Sequence, residues 1–227
     1  MITPISNRLS LSGEAAERIR DEILSGGFLP GQRLQEARLA ARLSISRGPV
    51  REAFKVLCAE GLLKEEPNRG VSVAELSAQD VREIFEVRIA IEGRAVQLLA
   101  RGQTPESIRQ LGEHIKTMAS AEKGGDVNSV AREDLAFHEA ICTLTGFGRF
   151  RQVFRRYVPT LHSLVRIDDE ALYQTQTPSS IAKEHNGILQ AVQDADEQLA
   201  LSRLESHLEE TRVRILAYME STGSIAS

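Results

Sequence analysis

Four side chains with the right chemistry for a metal recur at telling places in the second half of the chain. Asp134 and His138 stand one helical turn apart in EDLAFHEA, on the face that also carries Val127, Val130 and Ile141. His185 interrupts the apolar stripe Ile181, Ile188, Leu189, Val192, and His207 interrupts Leu204, Leu208, Thr211, Ile215. A lone histidine of this kind is more often a satisfied core residue than a ligand. Three imidazoles and a carboxylate on the inward faces of three helices are a different matter, because together they offer a divalent transition metal a complete donor set. The donors suit zinc first, and also nickel, iron or manganese. Arg88 breaks a fourth stripe, Val81, Ile84, Ile91, Ala95, Leu98. A buried guanidinium needs a partner, which Glu92, the carboxylate of a ligand, or both together can supply. His114 and His162 lie at the margins of their stripes and read as structural, His162 being nearer the cavity.

A second set of residues suits nucleic acid. Arg47, Arg51 and Lys55 repeat every four residues, opposite an apolar stripe of Val50, Phe54, Leu57 and Cys58. Such a row is commonly only a solvated face, with Arg51 paired to Glu52 or a neighbour. At the start of a helix, however, guanidinium forks can read guanine edges or clamp phosphates.

The elements that must position these residues favour the second reading. Glu14 to Ser25 forms a first helix, Phe28-Leu29-Pro30-Gly31 a turn, and Glu36 to Leu43 a short second helix. Ser44-Ile45 turn the chain, and Ser46 caps a third helix to about Glu60 with Pro49 in its first turn. Leu62 to Glu66 and Val71 to Val73 read as strands around Pro67-Asn68-Arg69-Gly70, a hairpin with Arg69 and Gly70 at its tip. That is the outline of a winged helix-turn-helix in residues 1–75. From residue 76 to 227 the chain is helical throughout: Ala78 to Arg101, Pro105 to Lys123, Val127 to Thr145, Arg149 to Arg166 (kinked at Pro159), Ser179 to Ala195 and Glu197 to Glu220. The fold class is therefore mainly α, a winged head followed by an antiparallel bundle of about six helices.

Bulk properties set the compartment. Of 227 residues, 41% are hydrophobic and 26% charged, with only Cys58 and Cys142 for thiols. No disulfide framework, leader or membrane span is legible, so a cytoplasmic protein is expected. The net charge of −4 argues against nucleic acid at first. Its distribution does not: residues 32–74 hold 8 Lys/Arg against 5 Asp/Glu, the one locally basic segment.

PGQRLQEARLAARLSISRGPVREAFKVLCAEGLLKEEPNRGVSV resembles the DNA-binding domain of the GntR family, with its proline-glycine turn, "LA..L" helix, "SR.PVREA...L...GL" recognition helix and "RG..V" wing. The resemblance implies that Ser46, Arg47 and Arg51 contact double-stranded operator DNA and that Arg69 and Gly70 reach the minor groove or its phosphates. Gly48 stands where the family commonly has threonine, and Ser44 where it has a turn glycine. Residues 77–221, with D-x-x-x-H followed by single histidines on the last two helices, resemble the FCD domain of the FadR subfamily in its shorter, VanR-like form. This resemblance implies that Asp134, His138, His185 and His207 bind a metal whose coordination a small organic acid completes, with Arg88 pairing the acid. A homodimer on a palindrome is expected, with coupling through Glu75 to Asp80; repression relieved by the metabolite is the commoner behaviour of the family, but the sequence fixes no sign. Two alternatives stand beside it. One is a metal-responsive regulator with no organic effector. The other is a metal-dependent hydrolase fused to a DNA-binding head, which lacks an obvious general base because Glu139 and Glu184 are expected to point away from the cluster. A non-enzyme is expected.

Overall fold

The computed structural model describes residues 10–24, 27–67, 69–175 and 180–222. Asn68 of the hairpin tip and the side chains of Pro159 and His162 lie outside that description. The chain divides into two compact units, residues 1–75 and 76–227.

In the first unit α1 (Leu11–Leu24), α2 (Glu36–Leu43) and α3 (Arg47–Ala59) enclose a core of Ala16, Ile19, Leu39, Val50, Phe54 and Leu57. Val50, Phe54 and Leu57 of the α3 stripe are buried as their spacing predicts, Val50 and Leu57 wholly so, while Cys58 is only half-buried. Arg20 on α1 grips Glu60, just past α3, through two hydrogen bonds of 2.9 and 2.7 Å. Strands β2 (Leu63–Glu66) and β3 (Gly70–Val73) form the expected antiparallel hairpin, closed by Glu66 opposite Gly70. Gly70 has φ +81°, a conformation that favours glycine at the turn. The sequence reading missed a third strand. Arg33–Leu34 (β1) pairs with β3, Arg33 opposite Ser72 and Leu34 opposite Val71, giving the order β1-β3-β2. Two residues are too short to carry an alternation, and only their distant partner defines them.

Ser44 ends α2 in the left-handed region, φ 56° and ψ 39°, which explains the glycine common at this turn. A side chain there costs roughly 1–2 kcal/mol, partly offset by the smaller chain entropy it loses on folding. Ser44→Gly is expected to stabilise the first unit by up to about 1 kcal/mol. A thermal melt followed by circular dichroism checks this, since 1 kcal/mol is worth about 4–8 °C in a unit of this size.

The second unit is built from α4 (Ala78–Arg101), α5 (Pro105–Gly124), α6 (Val127–Leu144), α7 (Gly148–Thr175), α8 (Ile181–Gln193) and α9 (Glu197–Thr222). Side-chain caps fix where four of them begin. Ser77 and Asp80 form a reciprocal capping box on α4, as do Thr104 and Ser107 on α5, while Asp126 and Ser180 cap α6 and α8. Gly93 lets α4 and α9 approach closely, because a Cβ there would stand 2.9 Å from Leu201 Cδ1.

Two expectations need correction. The fourth bundle helix runs to Thr175 rather than ending at Arg166, since Leu161, Leu164, Val165, Asp168 and Ala171 continue one buried face. Val127, expected on the inner stripe of α6, is 50% exposed in the first turn of that helix. Among the described residues no helix is long and apolar enough to cross a membrane.

Candidate functional site

Helix α3 presents its cationic row to solvent. Arg47, Arg51 and Lys55 are exposed, but two of them are engaged within the chain. Arg51 is held by Glu36 at the start of α2, Nε to Oε1 at 3.0 Å and Nη2 to Oε2 at 2.8 Å. The expected neighbour Glu52 instead takes Lys55, at 2.9 Å. Arg51, with Arg47 adding, holds the Glu36 carboxyl below the usual carboxylate range. The Glu36 carboxylate occupies the Nε–Nη2 edge of the Arg51 guanidinium and takes no bond from Nη1. Ser46 occupies the N-cap position with extended backbone, yet its hydroxyl makes no capping bond. The cap therefore rests on backbone geometry alone. At Gly48 a Cβ would meet nothing within 4 Å. At the wing Arg69 Nη1 stands 3.6 Å from Glu66 Oε2, and the Gly70 backbone is exposed.

In the second unit Asp134, His138, His185 and His207 come together, each offering one ligand atom within 4.8 Å of the others. All four are buried, His138 and His185 completely. What surrounds the imidazoles fixes how they face. His185 Nδ1 lies 2.8 Å from the Ile181 carbonyl, one turn back on α8. His138 Nδ1 lies 2.6 Å from Glu92 Oε2, and His207 Nδ1 lies 2.9 Å from Glu184 Oε2. Carbonyls and carboxylates only accept, so each Nδ1 donates, and a ring in its neutral form then turns its Nε2 lone pair inward. Burial lowers the His138 pKa, and with help from His185 it pushes His207 down to about 4, so both rings are neutral at pH 7.

The interior left by these choices is a cluster of lone pairs. His138 Nε2 and His207 Nε2 are 3.3 Å apart, and Asp134 Oδ1 lies 3.8 Å from His138 Nε2 and 3.1 Å from His185 Nε2. Despite that last distance His185 Nε2 has no aligned hydrogen-bond partner. Lone pairs gathered this closely require a proton or a cation between them. Ligands about 2.0–2.1 Å from a tetrahedral zinc stand roughly 3.3 Å apart. The residues fit such an ion.

Beside the cluster, Arg88 Nε donates to Glu92 Oε1 at 2.7 Å, while Arg88 Nη2 is buried with no hydrogen-bond partner. An unsatisfied guanidinium nitrogen in an enclosed place suits an anion. The anticipated Arg88–Glu92 pair is thus present, with one donor to spare. Arg214 holds Asp168 by bonds of 2.7 and 3.0 Å and also donates to Thr211 at 3.0 Å. Ending α7 at Arg166 had hidden Asp168, which interrupts an apolar stripe as Arg88 does.

Glu184 corrects another expectation. It does not point away from the cluster but supports His207 from the neighbouring helix. Glu139 does point elsewhere, to Arg151 and Arg155. His114 is structural, its Nδ1 3.0 Å from Glu133 Oε2.

Comparison with known proteins agrees with both units. Residues 11–73 match the model for bacterial regulatory proteins of the gntR family, and residues 83–210 match the FCD domain. The gluconate operon transcriptional repressor of Bacillus licheniformis is 26% identical over 92% of this chain and 86% of its own length. The HTH-type transcriptional regulator YdhC of Bacillus subtilis is 27% identical over 84% of each. A solved structure from Rhodococcus sp. RHA1, assigned to the GntR regulators, superposes with TM-score 0.79 at 27% identity, covering 92% of this chain and 99% of that one. With a gntR-type head and an FCD domain following it in sequence, the chain belongs to the GntR family of DNA-binding transcriptional regulators.

Proposed function

We propose that the chain is a homodimeric repressor whose operator affinity is set by a small organic acid bound beside a divalent metal. Asp134, His138, His185 and His207 hold the metal, zinc before nickel, iron or manganese. Arg88 receives the carboxylate of the acid. Ser46, Arg47, Arg51 and Lys55 approach the major groove, with Arg69 and Gly70 at the minor groove or its phosphates. A metal at such a site orients and polarises the bound carboxylate. The effector acts by binding DNA-competent and DNA-incompetent states unequally.

One observation carries the metal half: three Nδ1 atoms are tied to acceptors, which leaves three inward lone pairs beside a carboxylate. The spare donor on Arg88 favours an organic anion over a response to metal alone. A hydrolase needs a base free to take a proton, whereas Glu184 is committed to His207 and Glu139 to Arg151 and Arg155. The name of the Bacillus licheniformis relative supports including sugar acids such as gluconate among the first ligands tried.

Thermal melting of the full chain tests this. Zinc at about 100 times its Kd stabilises by about 2.7 kcal/mol. The melting point should therefore rise by about 5–10 °C over chelated protein. Mono- and dicarboxylates should add to the shift only when metal is present. An identical melt with zinc and with chelator rules out the metal. A zinc shift to which no acid adds favours the purely metal-responsive alternative.

A further inference from the structure

Glu92 is wholly inaccessible, and both of its oxygens are used. Oε1 accepts from Arg88 Nε at 2.7 Å, and Oε2 lies 2.6 Å from His138 Nδ1. The guanidinium, always charged and only a donor, keeps the carboxylate ionised and anchored on one side. The other side then has only lone pairs to offer His138.

We propose that Glu92 is the positioning residue that selects the Nδ1–H tautomer of His138, and that Arg88 makes the selection one-way. The first half follows from the acceptor at Nδ1, which leaves the proton no other ring nitrogen to occupy in neutral His138. The second half concerns what Arg88 forbids. In Glu92→Gln the amide has nearly the same shape but one donor end and one acceptor end. Arg88 can only donate, so the amide oxygen must face it and the NH2 must face His138. An N–H cannot face an N–H. The His138 proton moves to Nε2, where it points at His207 Nε2, 3.3 Å away. A ring flip would be the other escape. His138 is fully buried, however, edge-on to Phe137 with ring centres 5.8 Å apart and stacked on His207 at 5.3 Å. Exchanging one oxygen for nitrogen on a residue that touches no metal therefore removes a ligand. The consequence for affinity rests on the metal reading above, whereas the tautomer itself does not.

The experiment records long-range proton–nitrogen spectra of the full chain with labelled histidine under chelation, His138 being assigned by its absence in His138→Ala. Zinc affinity is measured in parallel by competition with a chromophoric chelator. Wild type should show His138 protonated on Nδ1, and E92Q should show it protonated on Nε2, with zinc affinity about 10- to 100-fold lower. The double variant R88M/E92Q frees the amide to turn its oxygen toward His138. It should recover the Nδ1–H signature and most of the lost affinity, a rescue that a merely space-filling Glu92 does not explain. Wild-type His138 protonated on Nε2, or E92Q with an unchanged tautomer, overturns the proposal. So does a double variant that stays on Nε2, which also decides the matter should E92Q alone fail to fold. If wild type binds no zinc but the tautomers switch as stated, the metal reading fails and this one stands.

Discussion

Arg51→Ala is expected to abolish specific operator binding while leaving helical content unchanged. The side chain is 61% exposed, so its loss opens no cavity, and Glu36 stays at a helix N-terminus where a carboxylate is favoured. What disappears is an oriented fork. Glu36 fixes one edge of the guanidinium, and on the proposed reading the remaining end edge would pair with the O6 and N7 of a guanine. One bidentate contact of this kind discriminates about 5- to 150-fold against a wrong base. In a symmetric dimer the loss occurs at both half-sites, giving about 30-fold to 10⁴-fold together. Fluorescence anisotropy on sequences that wild type selects from a random pool, beside an unrelated fragment, separates specific from non-specific binding. A variant that still prefers the selected sequences at wild-type strength contradicts the assignment of Arg51.

His185→Ala and His207→Ala should each remove bound metal and the response to organic acids together. Each takes away one inward Nε2, and affinity should fall by more than the about 10- to 100-fold typical of changes beyond the ligand shell. Metal content by mass spectrometry should drop from about one ion per chain to near zero. Both side chains are buried, so a cavity effect needs a control. Ile188→Val lies on the same helix as His185 and is 1% exposed. It should cost about 0.5–1.5 kcal/mol and retain the ion. Normal metal content in both histidine variants would rule out the site. Lost metal with an intact acid response would detach the effector from the ion.

Much of this architecture is legible in the residues because local periodicity and long-range packing agree. The α3 stripe of Val50, Phe54 and Leu57 is inward in both, and so are the polar interruptions at Arg88, Asp134, His138, His185 and His207. The places that escape the sequence are those where a partner far along the chain decides. β1 exists through its pairing with β3, and α7 continues past Arg166 because its buried face does. Glu184 sits one residue from His185 and so about 100° around α8, which suggests that it leaves the cluster. It reaches His207 only because α9 passes on that side. Glu92 was legible as the partner of Arg88. Its second bond, to His138 on another helix, was not.

The burial of the four candidate ligands has a temporal side. Their side chains come from α6, α8 and α9, and His138 and His185 are entirely closed to solvent. For an ion to leave or arrive, these helices must part, so exchange keeps the slow pace of local unfolding. On the proposed reading, a metal acquired as the chain folds would persist as a fixed constituent across the rise and fall of a metabolite. The faster variable would then be the anion, and that is the quantity such a regulator would follow.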